Sequence, residues 1–194
     1  MLIRSILFIT SFTAIINAVS AQSGIYYAED NYKNGITNYQ IPCPKDLSSE
    51  ELYDFYTKKY ILLSKAEAIK KFKKKDIWWY KDCQGFNYII IHNIHYRVLE
   101  DDALVMYILN YDADANFRDF QRGVVAKFYF SKSLSSSIEF LNIDNIKKVF
   151  KDNNTFIQNV ETYLKTPHPC LHCYDAHDKT YILNELLKET LSDN

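Results

Sequence analysis

The stretch FNYIIIHNIHYRV (residues 86–98) decides the predicted fold class of this chain. Its apolar side chains recur with a period of two and are interrupted once, at His92, so the pattern predicts a strand with one apolar face. Further strand patterns follow at residues 103–111, 123–130 and 138–143. Because polar turns and not helical segments separate these patterns, we expect a mainly β protein built as an antiparallel meander.

The segments on either side of the meander give weaker patterns. Residues 22–44 have no steady period and are expected to form an extended or loosely packed arm. Ser48 and Glu51 form a capping box, which predicts a short N-terminal helix after them. Residues 60–72 begin like a strand, while helix propensity favours a helix in their second half. Asp178 is expected to cap a C-terminal helix that packs its apolar stripe on the outside of the sheet.

The first residues have the three parts of a secretory signal peptide: Arg4, an apolar run at residues 6–16, and small residues that end at Ala21. The apolar run is too short for a bilayer span, which takes about 20 residues. We therefore predict a signal peptide over residues 1–21 and a secreted, extracellular protein. After the arm, residues 45–194 have the length of one ligand-binding domain.

The charge balance gives no general argument for a nucleic acid or a membrane as a partner. The formal net charge is −1, and the one dense basic run, residues 70–75, is typical of a solvated surface. The composition is instead rich in aromatic residues, with 16 Tyr, 12 Phe and 2 Trp. Such side chains suit pocket linings and half-buried sheet faces, although an AT-rich genome would produce the same bias.

The chain has four cysteines, which are Cys43, Cys83, Cys170 and Cys173. In a secreted protein they predict two disulfides, and three pairings exist. A bridge from Cys170 to Cys173 would constrain little of the unfolded chain, so we favour pairing Cys43 and Cys83 with the two C-terminal cysteines, in an order left open. The alternative is a small zinc protein with Cys170, His172, Cys173 and His177 as ligands.

The sequence contains no motif that supports catalysis. It has no Gly-rich phosphate loop, no G-x-S-x-G elbow and no H-E-x-x-H pair. His92 and His95 stand three apart on a predicted strand, where they would point to opposite faces. We therefore predict a binding protein that is not an enzyme and that needs no cofactor or metal. Asn153 begins a glycosylation sequon, which we expect on a surface loop.

The segment KDIWWY (residues 75–80) offers the chemistry of a small-ligand site. Its carboxylate, Asp76, stands beside two indoles, and such a group binds a cationic amine by charge and by attraction to the ring face, the latter worth roughly 0.5–2 kcal/mol. The alternative is that Asp76 is solvated and that one of the two tryptophans fills the end of a barrel.

From about residue 60 to residue 140 the order of these features resembles the tick salivary lipocalins of the histamine-binding type. The resemblance is carried by YILLSKAEA (60–68), by the acidic-x-x-Trp motif from Asp76 to Trp79, by Cys83 soon after it, and by the strand LVMYILNYDADANF (104–117). The stretches VVAKFYF and SSIEFLNID complete it.

The resemblance implies a lipocalin-like, antiparallel up-and-down β-barrel with a short N-terminal helix and a C-terminal α-helix. Such proteins sequester a small host mediator, which is histamine or another biogenic amine, or a leukotriene or fatty acid, and thereby evade host inflammatory defence. The span from Phe140 to Cys170 is short for the remaining strands. The alternative function is a protein-interaction module with a filled barrel that engages a host protein.

The resemblance also implies ligand-binding residues. Asp76 and Trp79 match the amine-contacting positions, and Ile138 and Phe140 match pocket positions. Arg122 replaces a second pocket carboxylate, and a cation there would suit a lipid carboxylate better than an amine. We add Phe72 and Tyr107 to the candidate ligand-binding residues, and we expect that Trp79, Tyr107 and Phe140 surround one cavity.

Overall fold

The structure, a computed structural model, describes residues 23–41, 58–65, 68–82, 85–109 and 126–192. The strands are β1 (Ser23–Tyr26), β2 (Tyr39–Ile41), β3 (Tyr60–Lys65), β4 (Ala68–Lys73), β5 (Trp79–Lys81), β6 (Asn87–Ile91), β7 (Ile94–Asp101), β8 (Val105–Leu109), β9 (Lys127–Ser131), β10 (Glu139–Phe140), β11 (Tyr174–Asp175) and β12 (Thr180–Tyr181). The helices are α1 (Glu29–Lys33), α2 (Ile143–Val149), α3 (Asn154–Tyr163) and α4 (Ile182–Ser192), with a 3-10 turn at Lys74–Asp76.

Eight strands form one antiparallel sheet in the order β10-β9-β8-β7-β6-β5-β1-β2. Strands β5 to β10 are neighbours in chain order, which confirms the predicted mainly β, antiparallel meander. Two small sheets, β3-β4 and β11-β12, accompany it. Among the described residues no backbone pairing joins β2 to β10, so the sheet is open between these two strands.

The stretch that predicts one long strand is a hairpin of two strands, β6 and β7. His92 and Asn93 form its two-residue turn with φ angles of 51° and 65°. Positive φ at both central residues is the requirement of a type I′ turn, whose twist matches that of the strands, and Asn adopts this conformation readily. Ile91 and Ile94 face each other across the turn. The prediction of a single strand through His92 is therefore wrong, because the apolar period continues on both sides of the turn.

The segment around the basic run is also a hairpin. Strand β4 pairs with β3 along its whole length, and Phe72 on β4 lies opposite Ile61 on β3. Both side chains are buried in one apolar cluster with Ile25 and Tyr88 of the large sheet. The helix favoured for the second half of residues 60–72 is therefore wrong, because burial against the sheet overrides the weak local propensity.

The described part of the expected arm, residues 23–41, contributes two strands to the large sheet. Strand β1 pairs with β2 on one side and with β5 on the other, and Ile25 is 0% exposed. The prediction for residues 22–44 is therefore wrong over residues 23–41, where strands of four and three residues are too short to reveal a period. The short helix predicted after Ser48 lies outside the described residues.

Three helices cover one half of the sheet. The sheet side chains beneath these helices are buried and include Leu104, Met106 and Phe130. The helices α2, α3 and α4 bury Ile146, Phe156 and Leu183 against them. The predicted C-terminal helix is confirmed, but it begins at Ile182, since Asp178 lies in the turn between β11 and β12. The strand predicted over residues 138–143 is limited to β10, because the Asn142 side chain accepts a 2.8 Å bond from the Asn145 N–H and begins α2.

Each strand of the large sheet sends alternate residues to two different sides. On the first side, the three helices cover one half and the β3-β4 hairpin covers the other. We call the second side the aromatic face; across the strands it presents Tyr26, Trp79, Ile89, Tyr96, Val98, Tyr107 and Tyr129. Within the described residues, none of the helices has the length and apolar character that a membrane crossing requires.

Candidate functional site

The aromatic face is the candidate site because rings meet there in rows that the strand register fixes. Tyr26 stands opposite Trp79 in neighbouring strands, and Tyr107 stands opposite Tyr129. Tyr96 makes edge contacts with both Tyr107 and Tyr129, at ring-centroid distances of 6.3 and 5.2 Å. Aromatic pairs of this geometry stabilise the face beyond the burial of its rings, by roughly 0.5–1.5 kcal/mol each.

A stack of three rings occupies one end of this face. Tyr32 from α1 lies 3.9 Å from Trp79 and 6.4 Å from Trp78, between ring centroids, and the two indoles are 5.3 Å apart. Tyr32 also meets Tyr26 edge-on at 5.6 Å. Helix α1 has five residues, none of them buried. Tyr32 is thus a cover for Trp79 that a short, exposed helix carries.

The polar tips of the face are held by defined hydrogen bonds. The Tyr107 hydroxyl and Ser131 Oγ are 2.8 Å apart, and Ser131 in turn donates to the Ser133 carbonyl at 2.7 Å. The Trp79 indole N–H donates to Asn87 Oδ1 at 3.3 Å. These bonds satisfy the buried polar atoms and fix the orientation of both rings.

Two carboxylates lie at the same end as the three-ring stack. Asp101 on β7 stands opposite Val105, a residue of the aromatic face. Burial raises the pKa of Tyr32 above its usual value, and the negative charge of Asp101 raises it further. Burial also raises the pKa of Tyr107, and the charges of Asp101 and Glu29 add to this effect. The negative potential therefore reaches both rings.

The carboxylates also act on each other and on one cation. Partial loss of solvent raises the pKa of Asp101, the charge of Lys33 lowers it, and the charge of Glu29 raises it. Lys33 and Glu29 form an ion pair at 2.5 Å, one helical turn apart on α1. The arrangement already attracts one ammonium group to the end of the aromatic face. Chemically, the site combines ring faces with negative charge, which is what a small organic cation requires.

The structure brings several predicted ligand-binding residues to this face. Trp79 and Tyr107 are both 0% exposed in one apolar cluster, and half-buried Ile138 packs against that cluster. Phe140 stands opposite Tyr129 and meets its ring edge-on at 5.5 Å, so it belongs to the same side of the sheet. It lies on the edge strand and is 45% exposed. Phe140 therefore does not enclose Trp79 and Tyr107 as expected.

Other predicted residues lie elsewhere. Phe72 is buried in the apolar cluster under the β3-β4 hairpin, 4.7 Å from Tyr39 between ring centroids and on the opposite side of the sheet. Asp76 is exposed on the 3-10 turn, as its alternative interpretation expected. Arg122 lies outside the described residues. Of the pair that the resemblance implies for an amine, the structure thus brings Trp79 but not Asp76 to the aromatic face.

The residues that the sequence analysis missed are Tyr32, Glu29 and Asp101. The first two belong to the segment interpreted as an arm, and Asp101 to a stretch interpreted as a polar turn. Glu29 and Lys33 stand at a spacing of four residues, which is a helix signal and would have indicated α1. No local pattern could bring Asp101 to them, because that contact depends on the order of strands β1 and β5 to β7 in the sheet.

The disulfide pairing differs from the favoured one. Cys170 and Cys173 are bonded to each other, so neither can pair with Cys43 or Cys83, and the prediction that they would is wrong. The chain reverses direction in a turn at these residues, where the Cys173 N–H donates to the Cys170 carbonyl at 3.1 Å and brings the two sulfurs together. Cys43 and Cys83 lie outside the described residues.

Part of the zinc cluster considered as an alternative is nevertheless assembled. The ligand atoms of Cys170, His172 and Cys173 all lie within 4.8 Å of one another. His177 is not among them; its Nδ1 pairs with Asp178 Oδ1 at 2.8 Å. That pairing with the Asp178 carboxylate raises the pKa of His177. The carboxylates of Asp175, Asp178 and Glu185 form a second compact group in the described part of the chain.

Asn153, expected to carry a glycan on a surface loop, is the N-cap residue of helix α3. Its Oδ1 accepts a 3.0 Å bond from the Phe156 N–H, and its Nδ2 lies 3.5 Å from the hydroxyl of buried Thr190. A glycan would be attached to this Nδ2 atom, on the side of the amide that faces Thr190. The sequon is therefore also a helix cap, a role that accounts for Asn at this position.

Comparison of the chain with protein-family models, with curated proteins and with solved structures gives no match. The resemblance to tick salivary lipocalins therefore depends on the quoted motifs alone.

Proposed function

We propose that this chain is a secreted, lipocalin-like binding protein that sequesters a small cationic amine such as histamine on its aromatic face, and so evades host inflammatory defence. The observation that carries the proposal is the three-ring stack of Tyr32, Trp78 and Trp79 beside Asp101. A protonated amine gains from the negative potential and from the ring faces together.

The amine's route to Trp79 passes Tyr32. Its ring covers the indole at 3.9 Å, and α1 has no fully buried residue, so moving the helix gives up mainly the ring contacts of Tyr32. A flat heterocycle can take the position of the Tyr32 ring, with its ammonium group directed at Asp101 and Glu29. The ligand would then replace one aromatic contact with another and add a charge pair.

The meander supports the barrel within this proposal. Strands β5 to β10 run in chain order with antiparallel neighbours, which is how up-and-down barrels are built. Closure would make the aromatic face the interior of the barrel, with the helices α2 to α4 outside. A leukotriene or fatty acid is the competing ligand, and the carboxylates at the end of the face would repel its anionic head group.

A second candidate function has its own support. Trp79 and Tyr107 are completely buried and Leu134 packs on them, so the chain's own side chains fill much of the face. A filled interior would make the protein an interaction module that engages a host protein through its outside. Exposed aromatic residues such as Tyr27 and Tyr174 would then be candidate contacts.

Calorimetric titration with histamine, serotonin, a leukotriene and a fatty acid tests these proposals. We expect saturable binding of an amine, weakened roughly ten-fold in Asp101→Asn because one charged hydrogen bond is lost. The matched control is Asp76→Asn, which removes a carboxylate that is exposed on the 3-10 turn and should leave affinity unchanged. If none of the four ligands binds, the sequestration proposal is refuted and the interaction module is favoured.

A further inference from the structure

The segment from Cys170 to Cys173 is held by contacts that do not depend on its disulfide. Leu171 is buried in the core beneath the helices. The Tyr163 hydroxyl accepts a 3.2 Å bond from the Cys170 N–H and lies 3.5 Å from the Cys170 carbonyl. The Ile182 N–H donates to the Cys173 carbonyl at 3.0 Å. These contacts should hold the backbone of the segment in place when the sulfur–sulfur bond is broken.

The His172 ring is also held by a contact that does not depend on the disulfide. Its ring stacks on Phe128 of β9, with ring centroids 4.2 Å apart and planes 25° from parallel. This stacking places its Nε2 atom 3.7 Å from Cys170 Sγ. One imidazole nitrogen and two sulfurs therefore converge within 4.8 Å at the surface of the domain.

We propose that reduction of the Cys170–Cys173 disulfide converts this segment into a zinc(II) site, with the two thiolates and the His172 imidazole as ligands. Thiolate sulfur and imidazole nitrogen are the ligands that zinc prefers, and three protein ligands leave the fourth tetrahedral position to water. His177 stays outside this set, since its ring nitrogens do not lie with the other three ligand atoms.

The conversion needs a reductant, and an external dithiol supplies it. A dithiol thiolate attacks Sγ of Cys173, the more exposed of the two residues, and forms a mixed disulfide while Cys170 leaves as a thiolate. The second dithiol sulfur then releases Cys173 and closes a cyclic disulfide. Two electrons and two protons pass from the dithiol to the two cysteines. Zinc(II) binding afterwards displaces the two thiol protons to water.

Reduction should leave the domain folded. The bridge joins residues only three apart in sequence, so it removes few conformations from the unfolded chain. The burial of Leu171 and the hydrogen bonds of Tyr163 and Ile182 do not involve the bridge and are retained. The disulfide is therefore a removable closure of a metal-binding group, and oxidation and zinc binding exclude each other at the same sulfurs.

Anaerobic titration of the full chain with cobalt(II), a spectroscopic substitute for zinc, tests the proposal. We expect the reduced protein to bind one cobalt(II) with a thiolate charge-transfer band that zinc(II) abolishes, and the oxidised protein to show no such band. The matched control is the Cys170→Ser/Cys173→Ser variant, which keeps Cys43 and Cys83 and should lose the band. His172→Gln should bind at least ten-fold more weakly.

Three results would overturn the proposal. The first is a reduced protein whose cobalt spectrum equals that of the double serine variant. The second is a His172→Gln variant with unchanged affinity, which would remove the imidazole from the ligand set. The third is loss of the far-ultraviolet circular dichroism of the fold on reduction, since the site requires the segment to stay in place.

Discussion

The two sides of the large sheet are made from alternate residues of the same strands, yet they differ in chemistry. In β8, Met106 faces the helices while its neighbour Tyr107 lies on the aromatic face. The helix-covered side consists mainly of aliphatic side chains and phenylalanines, and three helices cover it. The aromatic face is built of Tyr and Trp with polar tips, and a five-residue helix covers one end of it. The helix-covered side therefore forms the structural core, and the aromatic face is where we propose that an amine binds.

The two sides also differ in the hydrogen bonds of their carboxylates. Glu100 accepts hydrogen bonds from the Thr180 hydroxyl, the Tyr181 N–H and the Asn184 amide at 2.7, 3.0 and 2.6 Å. Asn184 in turn accepts from the Leu104 N–H at 2.8 Å. This network fastens α4 and the β11-β12 hairpin to the sheet. On the aromatic face, by contrast, the Asp101 side chain is exposed to solvent.

The largest expected effect on stability belongs to the helix-covered side. Phe156→Ala removes a fully buried ring that packs on Phe150 at 4.8 Å, and we expect the free energy of unfolding to fall by about 3–5 kcal/mol. Denaturant unfolding measures it. Amine affinity should not change in the folded variant. A loss of stability below about 1 kcal/mol would contradict the assignment of this side as the structural core.

Acid should destabilise the fold through His95. Burial, with the charge of nearby buried Lys74, lowers the pKa of His95 to about 3 from its usual 6.5. The unfolded chain therefore binds the proton more readily, so the stabilisation is complete above pH 6.5 and is lost as pH falls from 6.5 toward 3. We expect a loss on the order of 3 kcal/mol between pH 7 and 4.

The pH effect has a matched control in the same hairpin. His95→Gln should flatten the dependence of unfolding free energy on pH in this range, whereas His92→Gln, at the exposed turn, should leave it unchanged. Denaturant unfolding at a series of pH values makes the comparison. Equal slopes for wild type and His95→Gln would show that other groups cause the acid sensitivity.

The anchor of the C-terminal helix should have an intermediate effect. Glu100→Ala leaves three donors without their acceptor, and we expect a loss of about 2–3 kcal/mol. Glu139→Ala breaks an exposed ion pair with Lys148 and should cost less than about 1 kcal/mol. Thermal unfolding of the two variants checks the difference, and a similar cost for both would contradict the anchoring role.

The smallest effect on stability is expected where Tyr32 covers the aromatic face. Tyr32→Ala removes a half-buried ring on an exposed helix and should cost about 1 kcal/mol or less. The same change should alter amine binding, because it uncovers Trp79. Denaturant unfolding and calorimetric titration together test this. A large loss of stability would show that α1 belongs to the structural core.

The sequence could predict the strands of the meander because period-two patterning reports burial on one side. It could not separate β6 from β7, because Ile90 and Ile94 keep the period-two spacing across the turn. The helix propensity of residues 68–73 was misleading, since pairing with β3 is a tertiary contact. Tyr107 and Trp79 could be assigned to one face, whereas Asp101 and Tyr32 could not, because their proximity depends on strand order.

We propose above that the aromatic face binds a cationic amine beside Asp101. The chain has 2 Trp, both in the three-ring stack, so a nitrogen-proton correlation spectrum should show two indole signals that report on this site. On titration with histamine, we predict that both signals shift saturably in the wild type and much less in Asp101→Asn. Indole signals that stay in place, or that shift equally in both proteins, would contradict the proposed amine site.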